Sequence, residues 1–346
     1  MGKTINGFML IDAPWSALNN AGQDAGERTD NAVKVKVIRK GRVVYPYVSG
    51  QAVRYWWRET LKNKMGWNIS PVEKVIGKNQ AYTQANPIEY DDDDMFGYMR
   101  AAKEEIEEKG KKKKVDVTVT RISPLKNSPL LSICPQSPTD DFGVMARQKE
   151  GNPVPYEHEF YSTIFKGIFS VDMELAGKFY EIEKTGYKNM SPLLIKKAKD
   201  MGLVHDEKEK FWKMPAETKK KRIKDIILAL PYLSGGAKLT EHLTDVSPKF
   251  LILAVIEGGN HIFMNVVDEN GINFNALSQV IEDYKDVILS DIYIGKREGF
   301  LDEMNKKMSE FASQKWEINE RTIQVKYNSI NNIVLEFTEI LDGFIS

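Results

Sequence analysis

Between Pro124 and Pro155 the chain carries six of its fourteen prolines. Proline lacks a backbone donor and fixes φ, so this stretch can form neither a central strand nor a long helix. Residues 130–133 before its heart and 160–171 after it read as strands. The segment between them is therefore an extended excursion from a sheet, and long excursions of this kind are usually functional or disordered. Phe142, Val144 and Met145 give it an apolar tip, for which a disordered insertion has little use. A functional arm is expected.

The rest of the chain supplies the body that carries such an arm. At 346 residues, with 42% hydrophobic and 28% charged content, it is long enough for one large domain with insertions or for two. No stretch reaches the length of a membrane span, and the N-terminus lacks a signal peptide's apolar region and cleavage site, so a cytoplasmic protein without membrane partners is expected. The single cysteine, Cys134, excludes a disulfide framework and a Cys-rich zinc site. His158, His205, His242 and His261 are far apart in sequence, and no metal site or cofactor is expected from their spacing.

Net charge is zero but unevenly spread. From Arg28 to Lys64 ten basic residues face only Asp30 and Glu59, so the segment carries 10 − 2 = +8 and the remainder about −8. A localised positive segment favours an anionic partner, because each neutralised phosphate releases counterions. Residues 33–37 alternate valine with lysine, which puts Lys34 and Lys36 on one sheet face. In residues 45–62, Ser49 and Gly50 form a helix cap. Val53, Trp56, Trp57 and Leu61 mark a buried face, and Arg54, Arg58 and Lys62 form a row. A capped helix start suits a phosphate. The same row is equally compatible with a solvated helix face.

Further along, residues 91–94 are four aspartates, expected to form a solvated loop capping the next helix rather than a metal centre. Phe96 and Met99 follow as apolar groups able to meet bases, and the Glu-rich run after them reads as helical. Residues 115–121 alternate as a strand, and 193–212 and 219–230 read as helices. Gly235 and Gly236 beside Lys238 either admit a phosphate or simply stop the preceding helix. Residues 250–256 and 262–267 read as a strand hairpin. Helices near 276–289, 300–311 and 333–341 and a strand at 322–327 complete the chain, which has no repeat of fixed period.

The series LNNAGQDAGERTDN, PYVSGQAVRYWWR, DMFGYMR, SPLLSICP, HEFYSTIFKGIFSVDMEL and LTDVSPKFLILAVIEGGNHIF resembles the DevR-like family of CRISPR-associated proteins, in register over most of residues 4–267. That family supplies the backbone subunit of type I-B Cascade and belongs to the RAMP superfamily. The resemblance implies a single α+β domain with an RRM-like (ferredoxin-like) antiparallel-sheet palm, formed by residues 1–65, 115–133, 160–175 and 245–270. It further implies a helical finger insertion (66–114), an extended thumb hairpin (134–160), a helical insertion (176–240) and C-terminal helices with a strand (271–346).

Copies would stack as a helical homo-oligomer along one CRISPR RNA. Each thumb would displace one nucleotide and leave the others to pair with target DNA. Implied partners are the other Cascade subunits, including the one that holds the guide's 5′ handle and the large subunit. Ser49, Gln51 and Arg54, with Arg58 beyond them, fall where the RNA backbone is held. Asn20 and Arg28 fall in the loop before, and Lys36 on the basic strand. Phe142, Met145 and Arg147 lie in the thumb, Phe96 and Met99 in the finger, and Lys238 in the glycine turn. A grip that must accept any guide uses phosphates and apolar wedges rather than base edges, and the usual aromatic RRM signature is indeed not visible. The chain is thus expected to be a non-catalytic RNA-binding subunit. The alternatives are a metal-dependent endoribonuclease using a loop aspartate among Asp24, Asp30, Asp140 and Asp141, or a regulatory scaffold.

Overall fold

The computed structural model describes residues 2–23, 32–74, 80–108, 111–147, 151–318 and 321–345. Its spine is strand β1 (Lys3–Ser16), whose alternation divides the core. Ile5, Met9 and Ile11 enter one hydrophobic cluster, while Phe8 and Leu10 enter another on the opposite sheet face. At Gly7 the cross-strand partner is Phe169, whose ring stands 2.0 Å from where a Cβ would be, so only glycine fits.

Strands β2 (Asn20–Gln23), β3 (Ala32–Val35), β4 (Val37–Lys40) and β5 (Val43–Val48) lead into helix α1 (Gly50–Met65). Ser49 caps it by accepting from the Ala52 N–H, and Gly66, at φ 68°, ends it. A short pair, β6 (Glu73–Lys74) and β7 (Ala81–Tyr82), precedes α2 (Asp91–Phe96) and the hairpin β8 (Tyr98–Glu108) and β9 (Lys111–Arg121). Next come β10 (Leu125–Asn127), β11 (Leu130–Ser132), β12 (Thr139–Met145) and the 19-residue β13 (Val154–Asp172).

Strands β14 (Lys178–Tyr180), β15 (Val204–Asp206) and β16 (Phe211–Lys213) form a small sheet beside α3 (Pro192–Asp200), followed by α4 (Ala216–Leu228) and α5 (Leu239–His242). Strand β17 (Phe250–Glu257) returns to the main sheet. The chain closes with β18 (Val267–Asp268), β19 (Gly271–Ile272), α6 (Phe274–Tyr284), β20 (Ile292–Lys296), α7 (Asn305–Ala312), β21 (Lys315–Ile318), β22 (Arg321–Asn328) and α8 (Ile330–Ile340).

The main sheet runs β21-β22-β20-β17-β1-β13-β11-β5-β4 and is mixed. Strands β17, β1, β13 and β10 are antiparallel in turn, whereas β20 pairs β22, and β3 pairs β13, in parallel. Helices α1, α4 and α8 cover the Ile5 face through Trp57, Ile226 and Phe337; α6 and α7 cover the Phe8 face through Ile281 and Phe311. Trp57 anchors the first layer, its ring edge-on to Phe169 at 5.1 Å and its Nε1–H donated to the Ile226 carbonyl at 3.0 Å. An indole buried this completely contributes about 3–5 kcal/mol against truncation to alanine.

Several local expectations are corrected. The Glu-rich run after Phe96 is strand β8, because its register with β9 spans both entire strands. The expected helix over 193–212 stops at Asp200, and the chain turns back through β15 and β16. Residues 262–267 do not pair with β17, whose neighbours are β1 and β20. The valine–lysine alternation is cut at Lys36 into β3 and β4, which pair with different partners. Residues 160–171 belong to a strand that begins inside the proline-rich segment, with Pro155 opposite Val144 on its outer part.

The largest departure is the aspartate run. It forms α2 itself, with Asp92, Asp93 and Asp94 buried. Asp94 ion-pairs with Arg121 and with Arg222 (2.8 Å) and accepts from the Gly177 N–H. Asp92 accepts from Arg58 Nε (3.1 Å) and the Ser70 N–H (2.8 Å), and Asp91 accepts from Arg222 Nε (2.7 Å). Paired this way, the run is a buried clasp joining α1, α2, α4 and β9, since a buried carboxylate is tolerable only with compensating donors. Burial raises the Asp92 carboxyl to about 6 and pushes Asp93 up as well.

Candidate nucleic-acid interface

The outer half of β13 and strand β12 form a hairpin that projects from the sheet. Phe142 and Met145 on it are 61% and 60% exposed, and Val144, Val154 and Tyr156 are exposed beside them. Exposed apolar residues gathered at one tip mark a contact surface. The expected apolar arm is therefore a β-hairpin, and Arg147 lies exposed just past β12.

At the hairpin's root the basic strands meet it. Lys34, Lys36 and Arg39 line a groove of about 560 Å³ together with Val44, Tyr47, Ser137, Pro138 and Glu159. Glu159 braces this junction: its carboxylate accepts from the Val35 N–H at 2.9 Å and holds Lys34 Nζ at 3.3 Å. Lys36 and Arg39 have no carboxylate partner among the described residues, and Arg39 is exposed. A cationic groove beside an apolar arm can take a charged, base-bearing chain, with the cations on phosphates and the arm against bases.

The start of α1 lies at the other end of β5. Ser49 is half-buried and occupied as a cap, and Gln51 is exposed in the first turn. Asn19 holds this turn from behind. In the amide orientation that satisfies its neighbours, it donates to the Tyr47 carbonyl and accepts from the Ser49 N–H. The sequence reading chose Asn20, which is exposed on β2. Asn19 was missed because adjacent asparagines cannot be told apart without knowing which one faces the turn.

The basic row is neither a phosphate ladder nor a solvated face. Arg54 donates to the carbonyls of Leu125 (2.9 Å) and Phe96 (2.5 Å), to Asn127 Oδ1 (3.3 Å) and to Ser123 Oγ (3.1 Å). Burial, with Arg58 nearby, lowers its pKa to about 10. Arg58 pairs with Asp92, and both guanidiniums lie over the Phe96 ring, at 4.9 and 4.5 Å. Phe96 is itself 4% exposed and edge-on to Trp67, so it is a core residue rather than one presented to bases. Of the row, Lys62 is exposed.

Met99 is 72% exposed on the β8–β9 hairpin, a sheet separate from the groove. The glycine turn has a packing reason: Gly235, at φ 152°, lies on the Trp56 ring, where a Cβ would come within 2.2 Å. Lys238 after it, left-handed at φ 52°, ion-pairs with Glu241 at 3.1 Å. That turn brings His242 against β13, where His158 and His242 rings lie 6.1 Å apart, a meeting of distant histidines that sequence spacing does not reveal. Arg28, Asp24 and Asp30 lie outside the described residues. Asp140 and Asp141 are exposed on β12.

No helix among the described residues is long and apolar enough to cross a membrane. Comparison with known proteins finds no significant match among curated proteins. Among solved structures, the chain is similar to a chain of a CRISPR RNA-guided surveillance complex. The TM-score is 0.51 at 11% identity, covering 97% of this chain and 98% of the other. It is likewise similar to a chain of such a complex in a pre-nicking state, with a TM-score of 0.54 at 10% identity, covering 97% and 99%. At these identities the likeness shows a shared fold. The family model described as "CRISPR-associated negative auto-regulator DevR/Csa2" matches residues 13–273, and over that span, most of its length, the chain belongs to this CRISPR-associated family.

Proposed function

We propose that the protein is the repeated, non-catalytic backbone subunit of a type I-B surveillance complex, gripping guide RNA without regard to sequence. The observation that carries this reading is the groove of Lys34, Lys36 and Arg39 at the root of a hairpin tipped by Phe142 and Met145. Cations there neutralise phosphates, and the apolar tip wedges one base out of the stack at a fixed interval. Family membership and the likeness to chains of RNA-guided complexes support the same reading.

The finer architecture follows the same proposal. The antiparallel order β17-β1-β13-β10, with α1 and α4 on one face, supports a ferredoxin-like palm. The β12–β13 hairpin is then its thumb and residues 66–114 its finger, built around the β8–β9 hairpin rather than a helix. The second sheet face carries α6 and α7, which favours an RNA path along the groove rather than across the sheet. Partners are the guide, target DNA through it, further copies of the chain and the other Cascade subunits, within the cytoplasm. In this role Lys36, Arg39, Gln51, Phe142, Met145 and Arg147 meet RNA, whereas Arg54, Arg58 and Phe96 hold the helix that presents the cap.

The salt dependence of RNA binding tests the grip. Changing Lys36 and Arg39 together to alanine should lower affinity equally for unrelated RNAs and flatten the slope of log K against log salt by about 1.4, two phosphates at about 0.7 each. A loss that depends on RNA sequence would contradict the reading.

A further inference from the structure

Where α5 packs against the root of the β12–β13 hairpin, two histidines and two carboxylates converge from distant parts of the chain. His158 is 7% exposed, and its Nε2 lies 3.4 Å from Asp141 Oδ2 and 3.7 Å from Glu241 Oε2. His158, Glu241 and His242 each offer a ligand atom within 4.8 Å of the other two. His242 Nε2 is sealed from solvent without a partner. His158 Nδ1 is likewise buried without a partner.

We propose that His158, His242 and Glu241, with Asp141 beside them, bind one divalent transition-metal ion of the zinc class. Two imidazoles and a carboxylate are a ligand set that zinc takes, and the buried, unpartnered Nε2 of His242 is an atom that a bound ion would satisfy. Mixed imidazole and carboxylate donors suit zinc better than magnesium or calcium.

The geometry needs little change. Atoms bound to one tetrahedral zinc at about 2.0–2.2 Å lie about 3.4 Å apart, the spacing already present around His158 Nε2, and the widest gap closes by about 1.4 Å. Lys238 Nζ, 3.1 Å from Glu241 Oε2, is the cation that the metal displaces from this carboxylate. An ion here joins β12, β13 and α5 and so fixes the hairpin's angle to the sheet. This inference stands apart from the RNA reading.

Metal-stripped full-length protein is titrated with Zn²⁺ against a chromophoric chelator, and with Co²⁺ by visible absorption. One equivalent should bind with micromolar or tighter affinity, and Co²⁺ should give the ligand-field bands of a four- or five-coordinate site. His242→Ala and Glu241→Gln, both at residues outside the buried core, should each weaken binding at least tenfold without shifting the melting temperature of the metal-free protein. His158→Ala should abolish binding, read alongside its fold by circular dichroism, and His261→Ala should leave it unchanged. Binding that is absent, millimolar, or unaltered by both His242→Ala and Glu241→Gln overturns the proposal.

Discussion

Arg54 illustrates how a residue's role depends on partners that lie far along the chain. Its position in a basic row at a helix start suggests a phosphate contact, yet its four acceptors sit 42 to 73 positions away and consume the guanidinium. Arg54→Ala should therefore act first on stability, lowering the unfolding free energy in urea by about 2–4 kcal/mol, because buried carbonyls lose a charged donor. Lys36→Ala should leave the melting curve unmoved and act on RNA affinity alone. Asp92 gives a second test. Its native carboxyl, near 6 because of burial, binds a proton more readily than the unfolded group at 3.8. The native state thus holds the extra proton between about pH 4 and 6, and Asp92's contribution to stability falls as pH rises through that window. Relative to Asp92→Asn, wild type should lose about 2 kcal/mol between pH 4.5 and 7, at up to about 1.4 kcal/mol per unit. Parallel urea-denaturation profiles would refute this. The aspartate run was illegible as a clasp because Arg121 and Arg222, its partners, are 27 and 128 positions from Asp94.

At the scale of elements, local periodicity carried the reading where burial is one-sided. The face of α1, with Val53, Trp56, Trp57 and Leu61, was legible because it repeats at the helical period, and β17 was legible as a short, continuous apolar run. The proline-rich segment announced an arm, and the arm is the outer part of β12 and β13. The Glu-rich strand β8 was not legible, since its composition favours a helix and only pairing with β9 makes it extended. For the arm itself, replacing Phe142 and Met145 together by alanine should leave thermal unfolding within about 1 °C. Exposed side chains contribute little to the core. If the arm displaces one nucleotide per subunit as proposed, the same change should erase a regular pattern of hyper-reactive nucleotides in chemical probing of bound RNA. A large fall in melting temperature would instead make the tip part of the fold.

For the whole molecule, the charge asymmetry read from the sequence finds its place. The +8 segment contributes Lys34, Lys36 and Arg39 to one groove while Arg54 and Arg58 turn inward, so its positive surface is smaller than the count suggests. The order of the sheet, with β13 reaching from the core to the arm, was beyond sequence reasoning because it rests on pairings between distant segments. That strand makes the arm continuous with the main sheet. The most direct test of a sequence-independent, stacking backbone subunit is a titration onto unrelated single-stranded RNAs of increasing length, with the partner subunits present. Ribonuclease footprinting with and without magnesium then reads the bound state. Protection growing in equal steps with RNA length, without cleavage, is the expected result. Cleavage at regular intervals that requires magnesium, or RNA left unprotected at moderate salt, would contradict the non-catalytic backbone reading.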